Sequence, residues 1–339
     1  MIKVIKIKIL KFKEFLRKNG LYILIVLCFY LLFNIKLPYI VYAPGGYISL
    51  DERIIIKNGY ESSGELGMAY VTMYEANVPI LLLSYILPNW DLVKNEEVTY
   101  EDESLKEMNN RDKVYLQNAI DSATIAAYNL TNNYLEISNS YNNVEYITKE
   151  AQTTLKLGDK ILLVDGIKYS GTPEITSYIQ TLTKGDIVKL TVLRDNKEIE
   201  TTAKVFIIDG VKKIGVLSIM TYDYTTKPKI KVIFENDESG PSGGLMTALC
   251  IYDTLTKKDL TNGKKVIGTG TIDVDGKVGE IGGVKYKLLG AVKNKARIFI
   301  CPKENLKEAL KVKKDNHYDI IIVGVSTLDE AITALQKEE

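Results

Sequence analysis

The start of the chain restricts its architecture most. Residues 1–20 hold Lys3, Lys6, Lys8, Lys11, Lys13, Arg17 and Lys18 against a single Glu14, and L-Y-I-L-I-V-L-C-F-Y-L-L-F-N-I follows at 21–35. An apolar run of this length is a little short of the roughly 20 residues of an average membrane span, a gap that tilt, local thinning and snorkelling by Lys18 and Lys36 can close. The positive flank then predicts a basic cytoplasmic tail over 1–20, a single-pass transmembrane signal-anchor over 21–36, and everything later outside the cell membrane. A cleaved signal peptide is the competing reading, but N-I-K-L-P-Y-I-V-Y-A-P-G-G at 34–46 is mostly bulky and has no small-x-small site. A second apolar run, V-P-I-L-L-L-S-Y-I-L at 78–87, is too short to span and reads as core, with Trp90 near the membrane surface.

Charge divides the chain in the same place. Of 44 basic and 43 acidic residues, the first 36 positions take eight and one, which leaves the remaining 303 residues near a net charge of −6. That part has no basic field for nucleic acid. Cys28 falls in the apolar run, Cys250 and Cys301 fall in apolar segments as buried thiols, and together with one histidine they make no zinc site. A length of 339 residues allows two or three domains.

The chemistry concentrates in E-S-G-P-S-G-G-L-M, residues 238–246. Ser242 stands at the tip of a Gly-Pro turn that runs into an amphipathic helix over 243–256, and it is the candidate nucleophile. The free N–H groups at the start of that helix, around Gly240 to Gly243, could hold a developing oxyanion. A serine hydroxyl needs a base. The single histidine, His317, sits far downstream in the polar run K-V-K-K-D-N-H-Y-D, so a lysine is the remaining choice.

With G-P-S-G-G-L, T-G-T-I at 269–272 and G-K-V-G-E-I-G-G-V-K-Y-K-L-L-G-A at 276–291, the chain from about Lys212 onward resembles the proteolytic domain of the Lon proteases in order and spacing. The resemblance implies that the lysine closing G-G-x-x-x-K, Lys287, is the base and that Thr269 holds its amine. Lys285 points to another helix face and reads as solvated. For a lysine to act as a base near neutral pH its pKa must fall from about 10.4, which burial among Val284, Leu288 and Ala291 would achieve. Relatives often carry an acidic residue three positions before the serine. Ser239 stands there, with Glu238 one further back, so the acidic helper is unassigned.

No G-x-x-x-x-G-K-[ST] occurs, and the nearest string, from Gly270, has the wrong spacing. Its Asp275-Gly276 predicts a hairpin turn rather than a calcium loop. No cofactor and no metal are therefore expected.

Upstream, residues 38–101 read as short strands and turns, and 102–130 as a connecting helix with Val114, Ile120, Ile125 and Ala126 at helical spacing. Residues 131–206 resemble the second half of a PDZ domain through L-x-x-G-D-x-I-x-x-V-D-G from Leu155, a helix over 172–182 and two strands after Gly185. PDZ domains take extended peptides by strand addition, and the resemblance puts the carboxylate-binding loop near Ser138 to Asn143, where the usual signature is missing. A domain that only packs on the protease is the alternative.

Anchor, PDZ-like β-domain and Lon-like α+β domain, in that order, resemble the membrane-tethered PDZ-containing Lon-like proteases of Gram-positive bacteria. The expected architecture is a multi-domain α/β (α+β) chain, divided as 1–20, 21–36, 37–130, 131–206 and 207–339. The expected function is an ATP-independent serine endopeptidase with a Ser-Lys dyad, cutting peptides or protein segments outside the membrane; since Lon-like domains often assemble into rings, the resemblance also implies self-association, with no fixed number of copies. The rival is a non-catalytic, membrane-anchored PDZ adaptor on an inert Lon-like scaffold.

Overall fold

The computed structural model describes residues 2–100, 103–236 and 238–337, with side chains from residue 13 onward. The side chains of Lys3, Lys6, Lys8 and Lys11 in the basic tail lie outside the described residues. The chain opens with helix α1 (Ile2–Asn34), strands β1 (Tyr39–Ser49), β2 (Ile54–Ile56) and β3 (Glu65–Glu75), helix α2 (Val78–Ile86), strand β4 (Asp91–Lys94) and helix α3 (Leu105–Asn129). Next come β5 (Tyr134–Ile147), β6 (Lys160–Val164), α4 (Thr172–Thr181), β7 (Ile187–Arg194), β8 (Lys197–Lys204), β9 (Phe206–Ile208), β10 (Val211–Lys213) and β11 (Val216–Lys227). The last part holds β12 (Ile230–Val232), α5 (Gly244–Leu255), β13 (Lys265–Gly268), β14 (Thr271–Ile272), β15 (Val278–Gly279) and α6 (Val284–Lys293). It ends with β16 (Ile298–Pro302), α7 (Lys303–Asp315), β17 (Ile321–Val325) and α8 (Leu328–Lys337).

Contacts divide the chain into two units, residues 1–44 with 72–98 and residues 45–71 with 99–339. This division does not follow the five segments expected from sequence. In the smaller unit, α1 is one continuous helix whose stretch Lys13–Asn34 is long and apolar enough to cross a membrane. The first residues of β1 pair antiparallel with β4, Tyr39 opposite Lys94. The 78–87 run, expected in the core, is a helix with no buried residue. Its apolar composition was read as burial, but among the described residues no element covers its outer side.

The larger unit is built on a sheet whose parallel strands run in the order β17, β16, β13, β3, with β1 beside β3. The I-F-I-C-P of β16 is buried at all five positions, as a parallel strand covered on both faces must be. Helix α5 is apolar around most of its circumference and buries Gly244 through Asp253, which makes it the central helix of the core. Helix α3 begins with a capping box: Ser104 caps the Glu107 N–H and Glu107 returns the bond to the Ser104 N–H. Sequence suggested a connector here. Instead Ala123, Ala126, Ala127 and Tyr128 pack into the same core as Leu245 and Leu249 of α5, with Leu50, Leu66 and Met68 from the β1–β3 region. Each fully buried leucine among these contributes about 1.5–3 kcal/mol, so the N-terminal strands and the Ser242 helix stabilise each other.

A second core lies in the segment 144–214. Val144, Ile161, Val188, Leu190, Val192 and Ala203 fill it, beneath a sheet of order β11, β5, β6, β7, β8 and against Ile175 and Ile179 of α4. Strand β5 continues out of α3 and β11 returns beside it over its whole length, Tyr134 opposite Lys227 and Ile147 opposite Val216.

Candidate active site

Ser242 sits on a loop held from three sides. Upstream, Glu238 accepts from Arg53 at 3.0 Å and from the Glu235 N–H, and Arg53 also reaches Glu235. In the middle, the Gly240 N–H donates to the Asp112 carbonyl of α3 at 2.8 Å, with Gly240 at φ +90°, a conformation costly for any other residue. Downstream, the Ser242 carbonyl accepts from the Gly270 N–H at 2.8 Å and from Thr269 Oγ1 at 3.0 Å, and the Leu245 N–H donates to the Gly270 carbonyl. The T-G-T-I segment is therefore laced to the serine loop by backbone bonds. Gly244 allows that closeness, since a Cβ there would stand 2.9 Å from Ile272 Cγ2, and Gly243 does the same toward β3, where a Cβ would stand 2.4 Å from Met68 Sδ.

Among the described residues the N–H groups of Ser242 and Gly243 make no hydrogen bond, and they open the buried helix α5. The Gly240 N–H, also expected to face an oxyanion, is occupied by Asp112. Glu238 is engaged by Arg53. The part that Arg53 and Asp112 play in holding the loop was not legible in the sequence. The acidic run at 235–238 was the one available signal for a basic partner, and a main-chain carbonyl leaves no signal in sequence at all.

Lys287 lies on α6, whose N-cap Gly283 has φ +70°. It is 4% exposed, and its neighbours along the helix, Val284, Leu288 and Ala291, belong to a core with Ala69 and Ile281. Burial alone pushes its pKa down to about 8. No ion pair or hydrogen bond holds its ammonium among the described residues. Thr269 is fully buried, and its one proton goes to the Ser242 carbonyl, which leaves its lone pairs as acceptors. Lys285 is half-buried over the ring of Tyr286, 5.3 Å from the centroid, rather than solvated. His317 is exposed in the turn after α7. Asp275-Gly276 does form the expected hairpin turn between β14 and β15, with Gly276 at φ +79°.

A concavity of about 550 Å³ runs along the face of α4 made by Thr172, Ile175, Thr176 and Ile179 and is bounded opposite by Ile214 to Ser218. Residues 138–143, where a carboxylate-binding loop was expected, are instead the middle of β5, hydrogen-bonded to β11. The turn at the end of this groove is Ile214-Gly215, leading into β11. Gly215 has φ +73°, and a Cβ there would meet Ala151 and Thr148 within 2.7 Å. The hairpin of β9 and β10 is tied to the end of α4 by Gln180, whose Nε2 donates to the Lys212 carbonyl at 2.7 Å.

The family model of the Lon protease (S16) C-terminal proteolytic domain matches residues 120–337. The chain belongs to this family. The Lon match begins inside α3, well ahead of the boundary drawn at 207, in keeping with the packing of α3 on α5. The Lon protease of Trichlorobacter lovleyi is 37% identical over 101 residues, which are 30% of this chain and 12% of that one. The Lon protease of Campylobacter jejuni is 28% identical over 210 residues, 58% of this chain and 24% of that one. The chain thus spans a quarter or less of the length of these two Lon relatives. Among solved structures, the PDZ domain of the SdrC-like protein Lin2157 from Listeria innocua matches 23% of this chain and 92% of its own, at 29% identity and a TM-score of 0.22.

Proposed function

We propose that this Lon-family chain is a membrane-tethered, ATP-independent serine endopeptidase with Ser242 as nucleophile and Lys287 as base. One observation carries the reading: a lysine 4% exposed, without a counter-charge, whose pKa has fallen to about 8 on a helix of the same unit as the serine loop. An ordinary structural lysine would be paired or solvated, whereas a general base must reach its neutral form near the working pH. As Ser242 Oγ bonds to the scissile carbonyl carbon, its proton passes to Lys287 Nζ and the carbonyl oxygen takes the negative charge. The unpaired N–H groups of Ser242 and Gly243, at the positive end of α5, supply donors for that charge. When the C–N bond breaks, Lys287 returns the proton to the leaving amine. A water molecule deprotonated by the same lysine then releases the acyl group from Ser242. Thr269, through its bond to the Ser242 carbonyl, fixes the loop and keeps an acceptor for the lysine amine.

The apolar stretch within Lys13–Asn34 supports the span expected over 21–36, with residues 1–20 inside the cell and the catalytic part outside. The groove along α4 supports recruitment of extended peptide segments beside β11. The deciding experiment is cleavage of a peptide library by the purified protein without ATP and with EDTA. Activity lost in Ser242→Ala supports the proposal; equal activity in that variant overturns it, and no cleavage by a folded wild-type chain would favour the adaptor. For topology, protease added to intact protoplasts should digest the region after residue 36.

A further inference from the structure

Helix α2 is a nine-residue stretch, V-P-I-L-L-L-S-Y-I, with no charged side chain and no buried residue. Leu82, Tyr85 and Ile86 are 57%, 77% and 75% exposed, and Leu83 and Leu87 extend the same apolar surface. Water is a poor solvent for such a face, and a contiguous apolar patch on a folded protein marks a contact site. The helix itself is well formed. Asn77 caps it by accepting the Ile80 N–H, Pro79 occupies the first turn, and the Leu87 N–H closes onto Leu83.

Its position points to the occupant. Asn77 Nδ2 donates to the Phe33 carbonyl at 3.0 Å, the Leu37 N–H donates to the Ala76 carbonyl at 2.7 Å, and Lys36 pairs with Glu75. All three bonds sit at the end of the apolar stretch of α1, whose side chains are also uncovered. At about 1.5 Å per residue α2 is about 14 Å long, less than half of a hydrocarbon core of about 30 Å, so it cannot cross one. Nearby, Tyr74 and Trp90 stack with ring centroids 5.3 Å apart, and such amphipathic rings favour the headgroup level. The polar groups Glu75, Asp91 and Lys94 flank these apolar residues.

We propose that α2, with Leu87, Tyr74 and Trp90, is a second membrane contact: an interfacial helix in the outer leaflet, about 5–10 Å deep, next to the point where α1 leaves the bilayer. This rests on the reading of α1 as a span. A single helix leaves a protein free to swivel about its axis, whereas a second contact beside it restrains that rotation and sets the level at which β1 and β3 emerge.

Trp90 is the only tryptophan of the chain, so its fluorescence reports on this element alone. The full-length protein is reconstituted into phosphatidylcholine–phosphatidylglycerol vesicles containing lipids brominated at a shallow or a deep acyl position, and flotation with the vesicles is recorded in the same samples. The proposal expects flotation, blue-shifted emission, and stronger quenching by shallow than by deep bromines. In Leu82→Asp/Ile86→Asp, both changes being at exposed positions, flotation through α1 should persist while quenching is lost. Flotation with unquenched, water-like emission overturns the α2 contact and spares the span. Flotation with blue-shifted but unquenched emission means that protein, such as a second copy, covers α2, and overturns it as well. Failure to float removes the span reading and this proposal together.

Discussion

Lys287 carries the sharpest predictions at the residue scale. Its pKa is about 8 in the folded chain and about 10.4 unfolded. Between those values the unfolded state binds more protons, so this group makes stability rise with pH from about 8 to about 10.4; below about 8 the native state bears the whole cost of a buried charge. Lys287→Met should therefore abolish cleavage yet stabilise the fold at pH 7 by roughly 1–3 kcal/mol, seen as a higher melting temperature. Unchanged or lower stability would mean that the amine has a partner in solution. In the wild type, kcat/KM should climb with pH and level off above about 8 as the neutral amine forms. Lys287→Arg should be inactive throughout, because a guanidinium stays protonated, while Lys285→Ala retains most activity. Ser242 before one helix and Lys287 within another were legible in the sequence through G-P-S-G-G-L and G-G-x-x-x-K, as the two candidate residues of the proposed dyad. The depth of Lys287's burial was not, because the core around α6 includes Ala69, 218 positions away. Nor was the use of the Gly240 N–H, which depends on the Asp112 carbonyl 128 positions away.

Helices and strands were read with uneven success, and the reasons differ by element. Helix α6 was legible because Gly282-Gly283 precede apolar residues at helical spacing, and Gly283 does adopt φ +70° at its N-cap. A Cβ there would also stand 3.1 Å from Val71 Cγ2. Gly283→Val should cost roughly 1–3 kcal/mol in stability and, by turning the first turn of α6, displace Lys287 enough to shift the pH of half-maximal activity. A pH profile identical to wild type would show that the cap does not position the lysine. Helix α2 was read as core because composition alone cannot distinguish an apolar segment facing protein from one facing outward. The groove end at Ile214-Gly215 was missed for a related reason. It is built by a hairpin and β11, downstream of the segment that carries the PDZ-like string.

At the scale of the whole molecule, removing residues 131–206 would leave β11 without β5, so recruitment is better tested by filling the groove. Thr176 lines it from an exposed position on α4. Thr176→Trp should weaken cleavage of long protein substrates several-fold, a loss of about 1 kcal/mol, while short peptides are cut at the wild-type rate. Equal losses on both would remove recruitment from the reading. The sequence by itself determined the apolar helix at the start, the serine loop, the T-G-T-I and G-G-x-x-x-K segments and the α4 region, because each is written in contiguous residues whose period or turn chemistry acts locally. Only the tertiary structure decided that β1, β3 and α3 share one core with α5, that Arg53 and Asp112 hold the serine loop, and that α2 is bare. Those outcomes come from pairings across 60 to 200 positions, where the backbone partner can be any residue and burial is set by what the fold brings alongside.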